Sequence, residues 1–488
     1  TTASETLMAH EFSHHWWGDL ATCSTAEDMW LNEGWAVYSE HLFLEQVYGR
    51  ARYDDEVRKN FLQVLENTHV QEGGYRAVSG LPHALTYGQH VYRKGAVVPH
   101  NLRGYLGDSL FRQGLRAALD QYQFDDWSSA GLRDALSAAT GYDLGPFFAD
   151  WVFQPGFAHF SIDSTQVFFS PVDAPTRIRI FTKQKLRGAG HFYQKVPLEF
   201  TVVDPLGNRQ YRQTLVSGET DTVEITVPFW FFPAKVWVNT RQQLTLARAD
   251  WEGTIKTTGM LNAAPAKMTL NLKTLPQDTA LVRIEHHYAM PDTAGAANPQ
   301  GFRLSNRYWT VDALQPFEAE ATLVYDGKGM LDQLDAELFA QTSPREDSIL
   351  LAYRPGPGHS WQEHPNYTKN TVGSAQDRFG ILRPAQLPPG QYAIAKGVGT
   401  VAVGQAETVL PDISVSPNPV RRQLQLRAGQ PFNRVLVFDA RGVLVLDRTF
   451  QMAQSCELDA SAWAPGMYWA IVSGGGLSGV AGPFAVAR

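Results

Sequence analysis

The sequence predicts a multidomain α plus β chain, with a helical N-terminal domain followed by three β-sandwich-like domains. Three observations lead there. Apolar residues recur at helical spacing up to about residue 157. From Phe160 the period changes to two, in runs such as Arg177-Ile178-Arg179-Ile180 and Val223-Glu224-Ile225-Thr226-Val227. The 488 residues give ample chain for several separate cores.

The helical domain is expected over 1–158. Ser4 can cap a first helix, in which Leu7, Phe12, Trp16 and Trp17 supply apolar positions. Asp28 is expected to cap a second, running through Trp30, Val37, Leu42 and Val47 to a stop at Gly49. Helical runs follow over 53–72, 87–105, 108–122, 128–139 and 143–153, punctuated by Gly107 and Gly141. Pro99 should kink the helix that contains it. Gln154-Pro155-Gly156 ends the helical region.

A first β-sandwich is expected over 159–250. Leu198-Glu199-Phe200-Thr201-Val202-Val203 alternates, and Asp204-Pro205-Leu206-Gly207-Asn208 supplies a turn. Trp251 to Lys267 is polar and weakly patterned and reads as a linker. A second β domain is expected over 268–400, with Val282, Ile284, His286 and Tyr288 on one strand face and a hairpin at Tyr325-Asp326-Gly327. His286 and His287 are adjacent on a strand, so they point to opposite faces and read as ordinary strand residues. A third β unit is expected over 405–488. It opens at Ser416-Pro417-Asn418-Pro419, has strands flanking Asp439-Ala440-Arg441-Gly442, and turns at Pro465-Gly466 into Met467-Tyr468. Pro389-Gly390 is a similar turn before the strand at Tyr392.

The chemistry concentrates in His10-Glu11-Phe12-Ser13-His14. On a helix, His10 and His14 project from one face, one turn apart. Two imidazoles at that spacing can hold a zinc ion, and Glu11 beside them can act as general base on a bound water. Glu33, nineteen positions after His14 in Trp30-Leu31-Asn32-Glu33-Gly34-Trp35, is the candidate third ligand. One Zn2+ per chain with an open fourth position follows from three protein ligands. Glu40 lies seven positions after Glu33 on the same helix face and can accept a hydrogen bond from a ligand imidazole. Tyr92 is the candidate donor to a developing oxyanion. His15 points elsewhere on the helix and stays outside the ligand set.

Composition bounds the alternatives. A net charge of −7 with no basic run argues against nucleic acid and acidic membrane surfaces as partners. No apolar stretch reaches the length of a membrane span. The two cysteines, Cys23 and Cys456, read as small apolar residues and leave the redox compartment open.

His10-Glu11-Phe12-Ser13-His14-His15-Trp16-Trp17-Gly18-Asp19, with Trp30 to Ala36, resembles the zinc motif of aminopeptidase N-type zinc aminopeptidases, a gluzincin family. Tyr92-Arg93-Lys94-Gly95-Ala96 is similar to that family's catalytic-tyrosine helix, and Gly141-Tyr142-Asp143-Leu144 through Gly156 to its closing helices. The resemblance implies a thermolysin-like helical catalytic half-domain, zinc, peptide substrates, and Tyr92 as a catalytic residue. The family's G-x-M-E-N strand, which grips a substrate's free amine, is not among these residues. The chain is therefore expected to be the later part of a longer protein. Residues 413–488 resemble the C-terminal sorting domain of type IX secretion substrates, through Pro417-Asn418-Pro419, Leu458-Asp459, Pro465-Gly466-Met467-Tyr468 and the basic end at Arg488. That implies export to the surface or medium of a Gram-negative bacterium, with the secretion machinery as a partner.

The leading expectation is zinc-dependent release of N-terminal amino acids from peptides. The alternatives are a zinc endopeptidase of the same class and a surface binding protein carrying an inactive protease domain.

Overall fold

The computed structural model describes residues 4–169, 174–292, 302–328, 334–340, 346–371, 376–397, 413–439, 444–474 and 477–487. Its helices fill the N-terminal part and its strands the rest. Two compact units divide the chain: Thr1–Ala249 with His287–Ala289, and Asp250–His286 with Met290–Arg488. Ala440, Arg441, Gly442 and Arg488, singled out in the sequence, lie outside the described residues.

In the first unit, α1 (Glu5–Ser13) begins where expected: the Ser4 hydroxyl accepts from the Leu7 amide at 3.2 Å. A short strand, β1 (Ala21–Cys23), follows, then α2 (Glu33–Tyr48), α3 (Arg50–Gln63), α4 (His69–Gln71) and α5 (Gly95–Gln121). β2 (Asp125–Trp127) pairs in parallel with β1, an element the helical pattern gave no sign of. It leads to α6 (Ser129–Thr140) and α7 (Gly145–Trp151). The Ser128 hydroxyl caps α6, and Gly141 closes it in the left-handed conformation that glycine tolerates. Wide π-helical turns, Val64–Thr68 and His90–Lys94, follow α3 and precede α5.

Two helical expectations are corrected. Asp28 does not cap α2, because residues Ala26–Leu31 form a 3-10 turn and Asp28 itself is non-helical. Its buried carboxylate instead accepts from the Ser129 amide at 2.8 Å and the Ser129 and Ser79 hydroxyls at 2.6 Å each. A capping residue was recognised, but the amide it serves opens α6, 101 positions away. The kink expected at Pro99 leaves no break in helical φ and ψ there, and Pro99 stays inside α5. The helix turns at Gly107 instead, where φ is 70°.

Six strands complete this unit: β3 (Phe157–Phe168), β4 (Thr176–Arg187), β5 (Val196–Val203), β6 (Arg209–Val216), β7 (Thr220–Val227) and β8 (Lys235–Val238). They form two three-stranded sheets, β3-β4-β7 and β6-β5-β8. β5 is buried on both faces despite its alternating sequence. Glu199 is tolerated there because its carboxylate meets the Thr201 and Thr240 hydroxyls and the Arg241 guanidinium. One continuous core runs from Trp17, Trp30 and Trp35 through Phe111, Trp127 and Phe148 to Phe160 and Phe200.

The second unit contains a two-sheet sandwich. One sheet orders Gly259–Ala263, Met268–Thr274, Glu318–Asp326, Phe379–Pro384 and Tyr367–Thr371. The other orders Gln362–Glu363, Ile349–Arg354, Gly390–Lys396, Tyr308–Ala313, Ala280–His287 and Arg248–Ile255, with Arg303–Leu304 also pairing to Gly390–Lys396. The stretch expected to be a linker thus supplies two strands, Arg248–Ile255 and Gly259–Ala263. Glu252 in it and Asp250 just before it share a buried partner: Arg283 bonds Asp250 at 2.5 Å and Glu252 at 3.0 Å, and also meets Glu285. Tyr325-Asp326-Gly327 is not a hairpin. Its strand lies between Met268–Thr274 and Phe379–Pro384, and Gly327 makes room for the Phe339 ring. His286 stacks on Trp309, and His287 hydrogen-bonds His159 at 2.8 Å. The last sheet orders Ser414–Ser416, Gln423–Asp439, Gly466–Gly474 and Leu477–Val486, with Leu444–Asp459 paired along Gln423–Asp439. Bulges between Arg427 and Arg434 bend it around Leu426, Phe432, Val435 and Phe484. Among the described residues no helix is long and apolar enough to cross a membrane.

Candidate metal centre

Each sequence-predicted ligand has a local reason for its place. His10 lies in the last turn of α1 and His14 is that helix's C-cap, still with helical φ and ψ. Their ring centroids are 5.0 Å apart and nearly perpendicular. Glu33 is the first residue of α2, and the entry to that helix is pinned by Asn32. The Asn32 side chain accepts from the Cys23 amide at 3.1 Å and donates to the Thr22 hydroxyl at 3.2 Å.

The three donors converge. Glu33 Oε2 is 3.3 Å from His10 Nε2 and 3.5 Å from His14 Nε2. A tetrahedral ion with bonds of about 2.0–2.1 Å holds its ligand atoms about 3.3–3.4 Å apart. Among the described residues this is the one group of three or more His, Cys, Asp or Glu side chains able to share a metal ion.

The far side of each ring is fixed too. His10 Nδ1 is 3.0 Å from Glu40 Oε1, and His14 Nδ1 is 2.9 Å from the Trp17 carbonyl oxygen. Both partners are acceptors, so each Nδ1 carries a proton and donates it, and each Nε2 offers its lone pair to the centre. Burial works against a charged His10, but the hydrogen bonds and charges of Glu33 and Glu40 outweigh it, and the imidazole is pushed up to about 9.

Glu11 is exposed beside His10, and Tyr92 stands against the cluster with its ring stacked 6.2 Å from that of His10. Burial, then the Glu33 carboxylate, pushes the Tyr92 hydroxyl up to about 12, so it keeps its proton at neutral pH and can donate. His15 pairs with Asp19 on the surface, away from the cluster.

What brings Tyr92 to Glu33 is a glycine contact that the sequence reading passed over. A Cβ on Gly34 would stand 2.7 Å from the Cα and carbonyl carbon of Gly95, and one on Gly95 would stand 2.9 Å from Gly34 Cα. Backbones can approach so closely only without side chains. Glu33 and Lys94 precede these two glycines, and Tyr92 lies within the same turn. The available signal was the pair Glu33-Gly34 and Lys94-Gly95, one glycine immediately after each segment of interest. Also missed were the groups that hold the Tyr92 turn. Asn60 donates to the Arg93 carbonyl at 2.9 Å, Lys94 donates to the Arg76 carbonyl at 2.6 Å, and Glu72 bonds His90. Lys94 is wholly buried, which pushes its ammonium down to about 7.

Residues 1–151 match the peptidase family M1 domain, and residues 414–480 match the secretion system C-terminal sorting domain. The probable aminopeptidase 1 of Sulfurisphaera tokodaii is 28% identical over 174 residues, 33% of this chain and 22% of that protein. Aminopeptidase N of Lactococcus lactis is 27% identical over 161 residues, 31% of this chain and 18% of that one. The leucyl aminopeptidase of Saccharolobus solfataricus is 29% identical over 160 residues, 31% and 20%. The chain thus spans about a fifth of the length of these relatives. Its helical part is similar to the peptidase family M1 domain, and its last sheet to a secretion-type sorting domain.

Proposed function

We propose that this chain contains the zinc centre of a peptidase that releases N-terminal amino acids from peptides. Its sorting domain would direct it to the cell surface or the medium. The observation that carries the reading is the convergence of His10 Nε2, His14 Nε2 and Glu33 Oε2, each imidazole turned inward by a bond on its Nδ1. The donor set fits zinc: two neutral imidazoles and a carboxylate at tetrahedral spacing, one position left open. Relatives named as aminopeptidases support the restriction to N-terminal residues.

When bound, zinc supplies water activation at neutral pH and polarisation of the scissile carbonyl. The protein groups do the rest. Glu11, one position after His10 and not among the ligands, takes the water's proton on its carboxylate and returns it to the leaving amine. Tyr92 donates from its hydroxyl to the carbonyl oxygen as negative charge develops there. Glu40 keeps the His10 ring in the orientation and tautomer that binding needs.

The test is hydrolysis of an aminoacyl-p-nitroanilide and of a peptide with free or acetylated N-terminus, by the full-length protein and its Glu11→Gln variant. The variant is expected to keep its zinc and lose about a thousandfold in kcat, within the range for a general base. An acetylated peptide should survive intact. Cleavage of that peptide would move the reading to an endopeptidase, and activity indifferent to E11Q would end it.

A further inference from the structure

Tyr92 does not sit on an ordinary α-helix. It occupies the centre of the π-helical turn His90–Lys94, a widened conformation that recurs at functional sites and needs outside support. Asn60 and Lys94 hold the end of that turn, and one carboxylate holds its start. Glu72, just after α4, accepts from the Gln89 amide with one oxygen and from the His90 amide, at 3.3 Å, and His90 Nδ1 with the other. The other nitrogen of the ring, His90 Nε2, accepts from the Arg76 amide at 3.2 Å. The ring is therefore neutral, with its proton on Nδ1 and donated to Glu72.

The pair is closed off from water, with side-chain exposures of 3% for His90 and 9% for Glu72. Gly88 leaves the space for it: a Cβ there would stand 2.5 Å from Glu72 Oε1. The Tyr92 amide bonds the Gly88 carbonyl at 3.2 Å, so the clamped residues and the tyrosine belong to one continuous turn. An anionic carboxylate at the start of a helical segment also faces the positive end of its peptide dipoles. Neither Glu72 nor His90 is a zinc-ligand candidate, and neither belongs to the core.

We propose that Glu72 and His90 are positioning residues for Tyr92: the buried carboxylate–imidazole clamp fixes the π-turn so that the tyrosine hydroxyl faces the Glu33 side of the centre. This rests on the reading of Tyr92 as the oxyanion donor. A group that acts only in the transition state moves kcat and leaves KM alone. Loosening its support by a fraction of an ångström should then cost about tenfold in kcat.

The experiment measures kcat, KM, zinc content and melting temperature for Glu72→Gln, His90→Ala and His90→Asn. Each change is also made in a Tyr92→Phe background. A 19F NMR spectrum of 3-fluorotyrosine at position 92 is recorded for each Tyr92-containing protein. E72Q and H90A should keep their zinc, lose about tenfold in kcat with KM within twofold, and shift or broaden the fluorine resonance. H90N, whose amide can replace the Nδ1–H donor, should recover most of the loss. In the Y92F background E72Q should cost nothing further, because its effect passes through the missing hydroxyl. An unchanged fluorine resonance overturns the proposal, whether or not the parent protein is active. So does a tenfold loss that persists in Y92F, which would mark the clamp as a support of the fold alone. An inactive, zinc-free parent refutes the zinc-peptidase reading instead, and the fluorine spectra still decide whether the clamp sets the position of Tyr92.

Discussion

Replacing Gly34 by alanine probes the contact on which the centre depends. Two effects oppose each other. Alanine is the better helix former by about 1 kcal/mol, which favours the change because Gly34 lies in α2. Its methyl, however, would stand 2.7 Å from backbone atoms of Gly95, which no rotamer change can move aside. Carbon atoms need about 3.5–4.0 Å, so α2 and the Tyr92 turn must separate by roughly 1 Å. Overpacking of that kind costs about 1–3 kcal/mol, and the rigid contact places Gly34 in the upper half of that range. The clash wins by about 1–2 kcal/mol, a fall in melting temperature of roughly 2–8 °C for a unit of this size. Because the displacement separates Glu33 from Tyr92, kcat should fall by about 10–100-fold while zinc remains bound. Gly190→Ala is the control, since no atom lies within 4 Å of its would-be Cβ and it should melt with the parent. Differential scanning calorimetry and steady-state kinetics on G34A and G190A decide the matter. A G34A protein with the parent's melting temperature and kcat would refute the argument that the glycine contact sets the site.

Glu40→Gln keeps an acceptor for His10 Nδ1 but removes the charge, so zinc affinity should fall about tenfold, measurable by competition with a chromophoric chelator. His100 gives a pH dependence. It is buried, accepts from the Tyr53 hydroxyl at 2.7 Å and reaches the Gln242 carbonyl oxygen at 3.0 Å, and burial pushes its imidazole down from 6.5 to about 4. The unfolded chain therefore binds more protons between those values, and stability falls as pH falls through that window. About 3 kcal/mol should be lost between pH 7 and pH 4, and this part of the slope should vanish in His100→Gln, followed by urea denaturation at each pH.

What the sequence made legible was chemistry confined to short spacings. His10, Glu11 and His14 share one helical turn, and Ser4, Ser128, Gly49 and Gly141 mark helix ends by groups within four residues of themselves. The strands of the second half were legible where the period was two. What stayed hidden depends on partners far along the chain. Asp28 has the signature of a cap, but nothing in its neighbourhood says that its amide belongs to Ser129. Glu252 looks like a linker residue until Arg283 appears beside it. Glu199 looks like a solvated strand face until Arg241 and two threonines cover it. The candidate site divides in the same way. Its ligands could be read from spacing, whereas the glycine contact and the Glu72–His90 clamp join segments that only the tertiary fold brings together.

The first helix ends at Ser13, short of the Trp16 and Trp17 expected in it, and the apolar residues of this segment divide between core and surface. Trp17 enters the core, stacked on Trp35, whereas Leu7, Met8, Phe12 and Trp16 remain between 43% and 63% exposed. Helical periodicity identifies an apolar stripe but not what packs against it.

His10, His14 and Glu33 are proposed to hold one zinc ion. Isothermal titration of the metal-stripped, full-length protein with zinc, repeated in buffers of different ionisation enthalpy, tests it most directly. One site per chain is expected, with release of about one proton at pH 7, because the ion displaces the proton that Glu33 and Glu40 hold on His10. In Glu33→Ala and His14→Ala that site should be lost or weakened by orders of magnitude. Zinc binding of parental strength in both variants, or none in the parent, would contradict it.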